Sequence, residues 1–240
     1  MNMYRKEYIV SNNDVDTKFK LKVPAIFRYF QDVALLATEE AKVDSMSLSK
    51  KNIDWVITRM AVDIKRLPKC DEVIYVHTYP GKDMAMLYPR YFFITDKEGN
   101  VIIRSSSIWA LIDNSTRKVI VDRDVISKLP AESREDQLPL PEKISIPENS
   151  NFIENRTIHY SDLDFNAHMN NVRYVELLMD VHDSAFYKNN HISSIMLNYI
   201  KEIKEKETVS VSTNASNPEV ISVSTDNSLA FLGKVSFVND

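Results

Sequence analysis

Apolar residues recur at helical spacing in two stretches of the chain, 26–41 and 172–186. This pattern predicts one helix over about 24–42 and a second over about 171–187. Pro24 fits the start of the first helix, where a missing N–H costs nothing. Two asparagines precede the second helix as candidate N-caps, Asn170 and Asn171. Each apolar stripe is wide enough that its helix must bury one face against another element.

The remaining hydrophobic stretches are short and rich in β-branched and aromatic residues, which favours strands. In the first half they cover 55–66, 72–79, 86–95 and 101–112. In the second half they cover 194–203, 208–213, 219–224 and 229–238. Turn residues separate them at Pro80-Gly81, Glu98-Gly99-Asn100 and Asp226-Asn227. The sequence therefore predicts an α+β architecture with two tandem copies of a long helix wrapped by an antiparallel sheet, which is the arrangement called the hotdog fold.

The two halves also resemble each other in sequence. When the second half is shifted back by 148 positions, Asp14-Val15-Asp16 falls on Asp162-Leu163-Asp164. In both halves this Asp-x-Asp turn precedes a helix, so we expect an internal duplication.

A polar stretch separates the two halves. Four of the nine prolines fall between residues 125 and 150, among charged and small polar residues, which indicates an extended linker. We therefore expect an N-terminal repeat over 1–124, a linker over 125–150 and a C-terminal repeat over 151–240.

Composition excludes several classes of protein. With 30 basic and 34 acidic residues the formal net charge is −4, so we expect no broad electropositive surface for nucleic acid. Only three glycines occur, which rules out the glycine-rich loops of nucleotide-binding proteins. The lone cysteine, Cys70, permits no internal disulfide, and the five histidines lack metal-ligand spacing. No stretch approaches the ~20 apolar residues of a membrane span, and the first residues lack the apolar run of a signal peptide, so we expect a cytoplasmic protein.

The densest polar cluster, residues 162–171, stands just ahead of the second predicted helix. If this run is locally extended, Asp164, Asn166 and His168 point to one side, beside a helix N-terminus that favours developing negative charge. The alternative is that the Asx residues cap a helix and the histidine has no catalytic role. The first half carries lysines at the positions equivalent to Asn166 and His168, Lys18 and Lys20. A single active site, in the second repeat, is therefore the simpler interpretation.

The run Asp164-x-Asn166-x-His168-x-Asn170-Asn171-x-x-Tyr174 resembles the catalytic motif of the fatty acyl-acyl-carrier-protein thioesterases, a family with a double hotdog fold. Similar stretches of the first half cover 55–60, 64–68 and 104–113. The resemblance implies hydrolysis of fatty acyl-carrier-protein thioesters, releasing free fatty acid and carrier thiol, with no metal or organic cofactor. The absence of a transit-like N-terminus favours the bacterial type.

The resemblance also implies a fourth catalytic group, a glutamate on the strand after the second helix. The matching residue is Glu202, 34 residues past His168. Taken alone, a glutamate in the charged run 201–207 is more typical of a solvated strand end. Plant members carry a cysteine directly after this glutamate, whereas this chain has Ile203, so we expect water to be the nucleophile.

We expect Glu202 to deprotonate the water, and His168 to hydrogen-bond the water or protonate the departing sulfur. Asn166 and helix-start N–H groups hold the carbonyl oxygen in this hypothesis, and Asp164 positions its neighbours.

The partner implied by the resemblance is an acyl carrier protein with a phosphopantetheine-linked fatty acyl chain. Basic residues are candidates for contacting it: Lys65, Arg66, Lys69, Lys201 and Lys204. Apolar residues of the first repeat are candidates for the acyl slot: Ile26, Phe30, Trp55, Ile57, Met60, Met84, Met86 and Trp109. Two copies in one chain make a monomer feasible, and a homodimer stays open. An acyl-CoA thioesterase, a hotdog hydratase or dehydratase, and a non-catalytic acyl-binding protein also stay open, as do acyl chain length and saturation.

Overall fold

The computed structural model describes residues 3–226 and 228–239. The chain divides into two compact units, Met1–Pro141 and Glu142–Asp240, so the boundary falls inside the segment expected to link the repeats. Of the predicted turn Asp226-Asn227, Asp226 lies in a turn and Asn227 lies outside the described residues. No helix in the described part of the chain is long and apolar enough to cross a membrane.

The first unit is a sheet with one long helix and two short ones. Its elements are β1 (Tyr4–Ile9), α1 (Val23–Glu40), α2 (Ser45–Ser49), β2 (Ile53–Ile64), β3 (Val73–Pro80), β4 (Tyr88–Thr95), β5 (Val101–Asp113), β6 (Val119–Ile120) and α3 (Arg123–Ser127). The strands run in the order β1-β3-β4-β5-β2, with β6 on the side of β5, and all pairs are antiparallel. The two short helices were not predicted from the sequence.

Helix α1 agrees with its prediction to within two residues at each end. Pro24 stands in its first turn, where it costs no hydrogen bond. The face that carries Ile26, Phe30 and Val33 is buried. Phe30 stacks on Phe92 of β4 with 4.8 Å between ring centroids. The apolar stripe therefore packs on the sheet, as the helical pattern predicted.

The second unit repeats this plan. Its elements are β7 (Ser150–Thr157), α4 (Asn171–Asp180), α5 (Ser184–Asn189), β8 (Asn190–Tyr199), β9 (Thr208–Asn214), β10 (Val220–Thr225) and β11 (Ser228–Asn239). The strands run in the order β8-β11-β10-β9-β7, and all pairs are antiparallel. Helix α4 lies close to the sheet, because a Cβ added at Gly233 of β11 would come within 2.5 Å of the Leu178 side chain.

The second predicted helix, 171–187, is interrupted in the structure. Helix α4 ends at Asp180, and α5 begins at Ser184. The carboxylate of Asp183 accepts the Phe186 N–H (2.9 Å) and caps the new helix. Aspartate side chains favour this capping position over a helix interior, so the apolar spacing continues across a break in the backbone.

The predicted duplication is visible in the backbone of the two units. A short 3-10 helix follows the first strand in each unit, at Asn12–Asp14 and at Tyr160–Asp162. In each case the last residue of that helix accepts a hydrogen bond from the residue that precedes the long helix, with lengths of 2.8 and 2.9 Å. The two units are therefore tandem copies of one hotdog plan.

The segment between the copies has little regular structure and is fastened by hydrogen bonds. In the first unit, Ser106 Oγ donates to the Pro139 carbonyl (2.6 Å), and Arg59 Nη1 donates to the Pro141 carbonyl (3.0 Å). In the second unit, the Ile144 N–H donates to Asn198 Oδ1 (2.8 Å). Each part of the segment is thus held by the unit to which it belongs.

Candidate active site

The polar segment 164–168 folds into a tight turn ahead of α4. The Ala167 N–H donates to the Asp164 carbonyl (3.0 Å), and the Asp164 N–H donates to the His168 carbonyl (2.9 Å). The Asp164 carboxylate accepts the N–H of Asn166 (2.9 Å). Ala167 has a φ of 60°, so the chain reverses here. The segment is therefore a turn and not an extended run, and the hydrogen bonds of the turn orient these side chains.

The end of the turn is fastened to the loop that follows β8. His168 and Lys204 face each other in an isolated antiparallel bridge. The Met169 N–H donates to the carbonyl of Ile203 (2.8 Å), whose side chain is fully buried. This pairing places His168 Nε2 3.4 Å from Glu202 Oε2. The two side chains are 22% and 37% exposed, so water can reach a pair that the protein largely covers.

Glu202 lies in a loop, so the prediction that it belongs to a strand is wrong. Strand β8 ends at Tyr199. The N–H groups of Ile200 and Lys201 both donate to the Ala230 carbonyl (2.9 and 3.0 Å), which ends the regular ladder with β11. The direction of the Glu202 side chain is therefore not set by the pleat of β8. It is set by the loop, which the His168–Lys204 bridge and the Met169–Ile203 hydrogen bond hold in place.

Asn166 and the start of α4 complete the surroundings of the turn. The Asn166 side chain is exposed at the outer corner of the turn. Asn170 caps α4, since its Oδ1 accepts the Val172 N–H (2.9 Å), and Asn171 is the first helical residue. The positive end of the helix dipole thus follows the turn directly, which favours negative charge nearby.

An aromatic cluster underlies the site and was not predicted as part of it. Tyr174, Tyr199 and Phe231 contact one another with ring centroids 4.9–5.5 Å apart. Burial raises the pKa of Tyr174, and the Glu202 and Asp164 carboxylates raise it further, so this phenol stays protonated. Tyr174 could have been found from the sequence, because it belongs to the motif that begins at Asp164. Nothing in the sequence distinguishes Tyr199 from other aromatic residues in strands.

The first unit contains the same turn with different side chains. The Phe19 N–H donates to the Asp16 carbonyl (3.1 Å), and the Asp16 N–H donates to the Lys20 carbonyl (2.8 Å). The Asp16 carboxylate accepts the Lys18 N–H (2.8 Å), as Asp164 does for Asn166. The position equivalent to Glu202 is Leu67, because the residues after it make the same contacts to their turn. Only the second unit therefore brings a histidine and a glutamate together at this turn.

Among the described residues, no group of three or more His, Cys, Asp and Glu side chains is placed to hold a metal ion. Cys70 belongs to the first unit, where its Sγ donates to Asn12 Oδ1 (2.9 Å). The residue after Glu202 is the buried Ile203.

The candidate acyl-slot residues fall into three groups within the first unit. Ile26, Phe30 and Met60 are buried core residues. Trp55, Ile57 and Trp109 are partly buried. Met84 and Met86 lie on the surface, with 42% and 43% exposure, so the first unit does not enclose them.

The candidate basic residues also differ in their surroundings. Arg66 pairs with Glu72 (2.7 Å) and Asp96 (3.3 Å), so its charge is already compensated. Lys201 Nζ donates to Ser228 Oγ (3.1 Å). All five residues are exposed, Lys65, Lys69 and Lys204 included.

Comparison with known families adds to this geometry. The family profile described as "Acyl-ACP thioesterase N-terminal domain" matches residues 1–129, and "Acyl-ACP thioesterase C-terminal domain" matches residues 146–235. The chain belongs to the acyl-ACP thioesterase family. Within this chain, the turn and the His168–Glu202 pair fall in the part that matches the C-terminal domain.

Curated relatives of this chain include plant proteins. The "Dodecanoyl-[acyl-carrier-protein] hydrolase, chloroplastic" of Cinnamomum camphora is 22% identical over 222 residues, covering 83% of this chain and 56% of the relative. The "Oleoyl-acyl carrier protein thioesterase 2, chloroplastic" of Arabidopsis thaliana is 23% identical, covering 91% of this chain and 65% of the relative. The chain thus spans a little more than half the length of the curated relatives it matches.

Solved structures share the fold. An acyl-ACP thioesterase from Bacteroides thetaiotaomicron superposes with a TM-score of 0.90 at 22% identity, covering 98% of each chain. The 12:0-ACP thioesterase from Umbellularia californica superposes with a TM-score of 0.85 at 19% identity, covering 99% of this chain and 98% of that one. These matches confirm the predicted double hotdog.

Proposed function

We propose that this protein hydrolyses fatty acyl-carrier-protein thioesters, releasing a free fatty acid and the carrier thiol. The observation that carries the proposal is the approach of His168 Nε2 to Glu202 Oε2, 3.4 Å, at a turn that is partly open to water. Membership of the acyl-ACP thioesterase family supports the substrate class.

Water is the nucleophile in this mechanism. His168 orients the water, and Glu202 takes a proton from it as the water oxygen attacks the thioester carbonyl carbon. When the tetrahedral intermediate collapses, the C–S bond breaks. A thiol with a pKa near ~8.5 departs with little help, and a proton passed from Glu202 through His168 restores it as the neutral thiol. In the net reaction, one water molecule is consumed, and one fatty acid and one carrier thiol are formed.

The carbonyl oxygen becomes negatively charged during attack and needs donors. The exposed amide of Asn166 and the N–H groups at the start of α4 supply them, aided by the helix dipole. Asp164 has a different part, because its carboxylate is bonded to the Asn166 N–H. Asp16 makes the same bond in the unit that lacks the histidine and glutamate, so we assign Asp164 to holding the turn.

Measurement of carrier-thiol release by Glu202→Gln and His168→Ala tests these roles. We expect kcat to fall by about 10²–10⁴-fold for each, the usual effect of a general acid or base. Glu205→Gln is the matched control, since Glu205 is an exposed glutamate of the same loop, and it should retain wild-type turnover. Losses below about tenfold for both site variants would contradict the mechanism.

The same assay separates the alternative activities. The substrates are one fatty acyl chain presented on the carrier protein, on coenzyme A and as an enoyl thioester. Faster thiol release from the carrier supports the proposal, whereas preference for coenzyme A identifies an acyl-CoA thioesterase. Hydration of the enoyl chain without thiol release identifies a hydratase. Stoichiometric binding with no product identifies an acyl-binding protein.

We also propose that the protein acts in the cytoplasm as a monomer or a homodimer. Light scattering on the purified protein measures the oligomeric state. Fractionation of source cells, followed by detection of the chain, tests the compartment.

A further inference from the structure

The turn of the first unit has kept its backbone and exchanged its side chains. Lys18 and Lys20 stand where the second unit has Asn166 and His168. Lys69 occupies the position of Lys204, since the bridge between Lys20 and Lys69 repeats the one between His168 and Lys204. With Leu67 at the glutamate position, this turn carries lysines in place of Asn166 and His168 and has no counterpart of Glu202.

The bridge sets two lysines directly opposite each other. Like charges at opposed positions of an antiparallel pair are destabilising. Two nearby carboxylates are already engaged by backbone groups: Asp16 Oδ1 accepts the Lys18 and Lys20 N–H groups (2.8 and 3.0 Å), and Glu72 accepts the Lys69 N–H (2.9 Å). The two opposed lysine charges therefore repel each other, and a bound acidic group would relieve part of that repulsion.

An aromatic residue lies between the lysines. Phe19 is 66% exposed and adopts a φ of 57°. A bulky side chain is uncommon in this left-handed conformation, and the second unit has Ala167 at the equivalent position, with a φ of 60°. An exposed aromatic side chain can anchor a partner protein, and the lysines beside it can attract acidic groups on that partner.

We infer that Phe19, Lys20 and Lys69, with Lys18 beside them, form a docking surface for the acidic carrier protein that delivers the acyl chain. This inference rests on the proposed function, because it names the surface that recognises the proposed substrate. The lysines attract the carrier's carboxylates and raise the rate of encounter, while Phe19 packs against apolar residues of the carrier.

The test is a comparison of three substrates with the same acyl chain, carried by the carrier protein, by coenzyme A or by N-acetylcysteamine. The variants are the double change Lys20→Glu with Lys69→Glu, its milder form Lys20→Gln with Lys69→Gln, and Phe19→Ser. The control is Lys118→Glu with Lys128→Glu, which makes the same charge change at exposed lysines beyond the far end of β5.

For the carrier substrate, we expect the double charge reversal to raise KM by about tenfold or more at low ionic strength, with kcat unchanged. The glutamine pair and Phe19→Ser should raise KM less. Added salt should raise the wild-type KM and have little effect on that of the reversed variant, because salt screens exposed charges. Hydrolysis of the uncharged N-acetylcysteamine thioester should match wild type in every variant, and this also verifies that each variant is folded.

A carrier KM equal to that of the control variant would overturn the inference. An equal rise in KM for coenzyme A would also overturn it, since the lysines would then recognise phosphate rather than an acidic protein surface. If the wild type hydrolyses none of the three thioesters, the proposed function fails. Calorimetric titration with the unacylated carrier then still tests the surface, and loss of binding in the reversed variant alone supports it.

Discussion

Buried His77 makes the stability of the first unit depend on pH. It lies on β3 with 8% exposure, and its ring stacks on Phe93 with 4.2 Å between centroids. Nε2 lies 3.3 Å from Thr95 Oγ1, whereas the buried Nδ1 has no hydrogen-bond partner among the described residues. Burial lowers the pKa of His77 to about 4, with help from the positive charges of Arg5 and Arg134.

The direction and size of the effect follow from this pKa. In the unfolded chain the imidazole titrates near 6.5, so between pH 6.5 and 4 unfolding takes up a proton that the folded state does not bind. The contribution is fully present above pH 6.5 and is lost as the pH falls towards 4. The difference of about 2.5 pH units corresponds to at most ~3.4 kcal/mol between the limits of high and low pH, of which about 2 kcal/mol is expressed by pH 4.5.

The variant His77→Phe preserves the stack on Phe93 and removes the titrating group. Urea unfolding at about pH 7.5 and about pH 4.5 measures the free energy of unfolding of both proteins. We expect the wild type to lose about 2 kcal/mol more than the variant on acidification. Equal acid sensitivity of wild type and His77→Phe would show that burial of the His77 imidazole does not contribute to the acid response.

Two further predictions concern packing and the turn. Gly233→Ala places a Cβ 2.5 Å from Leu178 Cδ1, so the free energy of unfolding should fall by about 1–3 kcal/mol. A urea titration measures this change. An unchanged free energy of unfolding would contradict the close approach of α4 to β11. Asp164→Asn keeps an oxygen that accepts the Asn166 N–H and should lower kcat by less than about tenfold, whereas Asp164→Ala removes the acceptor and should lower kcat further. Equal losses for both Asp164 variants would show that the carboxylate has a part beyond holding the turn.

The long elements were predictable because one strong pattern specified each of them. The apolar spacing of α1 and the β-branched runs of the sheet gave boundaries within a few residues in most cases. The failures came where a local hydrogen bond competed with the pattern. Asp183 caps a new helix in the middle of continuous apolar spacing. The two N–H groups that share the Ala230 carbonyl end β8 four residues before the predicted boundary.

The candidate site was predictable in its residue types more than in its geometry. His168 and Asn166 stood out because the first half has lysines in their place. Their arrangement depends on the left-handed conformation of Ala167. The sequence does not indicate this conformation, because alanine rarely adopts it. Glu202 sits among ordinary surface charges, and only the resemblance singled it out. Its approach to His168 depends on the bridge at Lys204, a contact between segments distant along the chain.

The repeated turn has a consequence for protein engineering. The first unit already supplies the backbone hydrogen bonds, the left-handed residue and the opposed loop on which the His168–Glu202 pair depends in the second. Three exchanges, Lys18→Asn, Lys20→His and Leu67→Glu, would transplant the reactive side chains onto this scaffold. The duplicated first unit thus keeps a second copy of the active-site backbone. New reactive side chains can be introduced there without changing the fold.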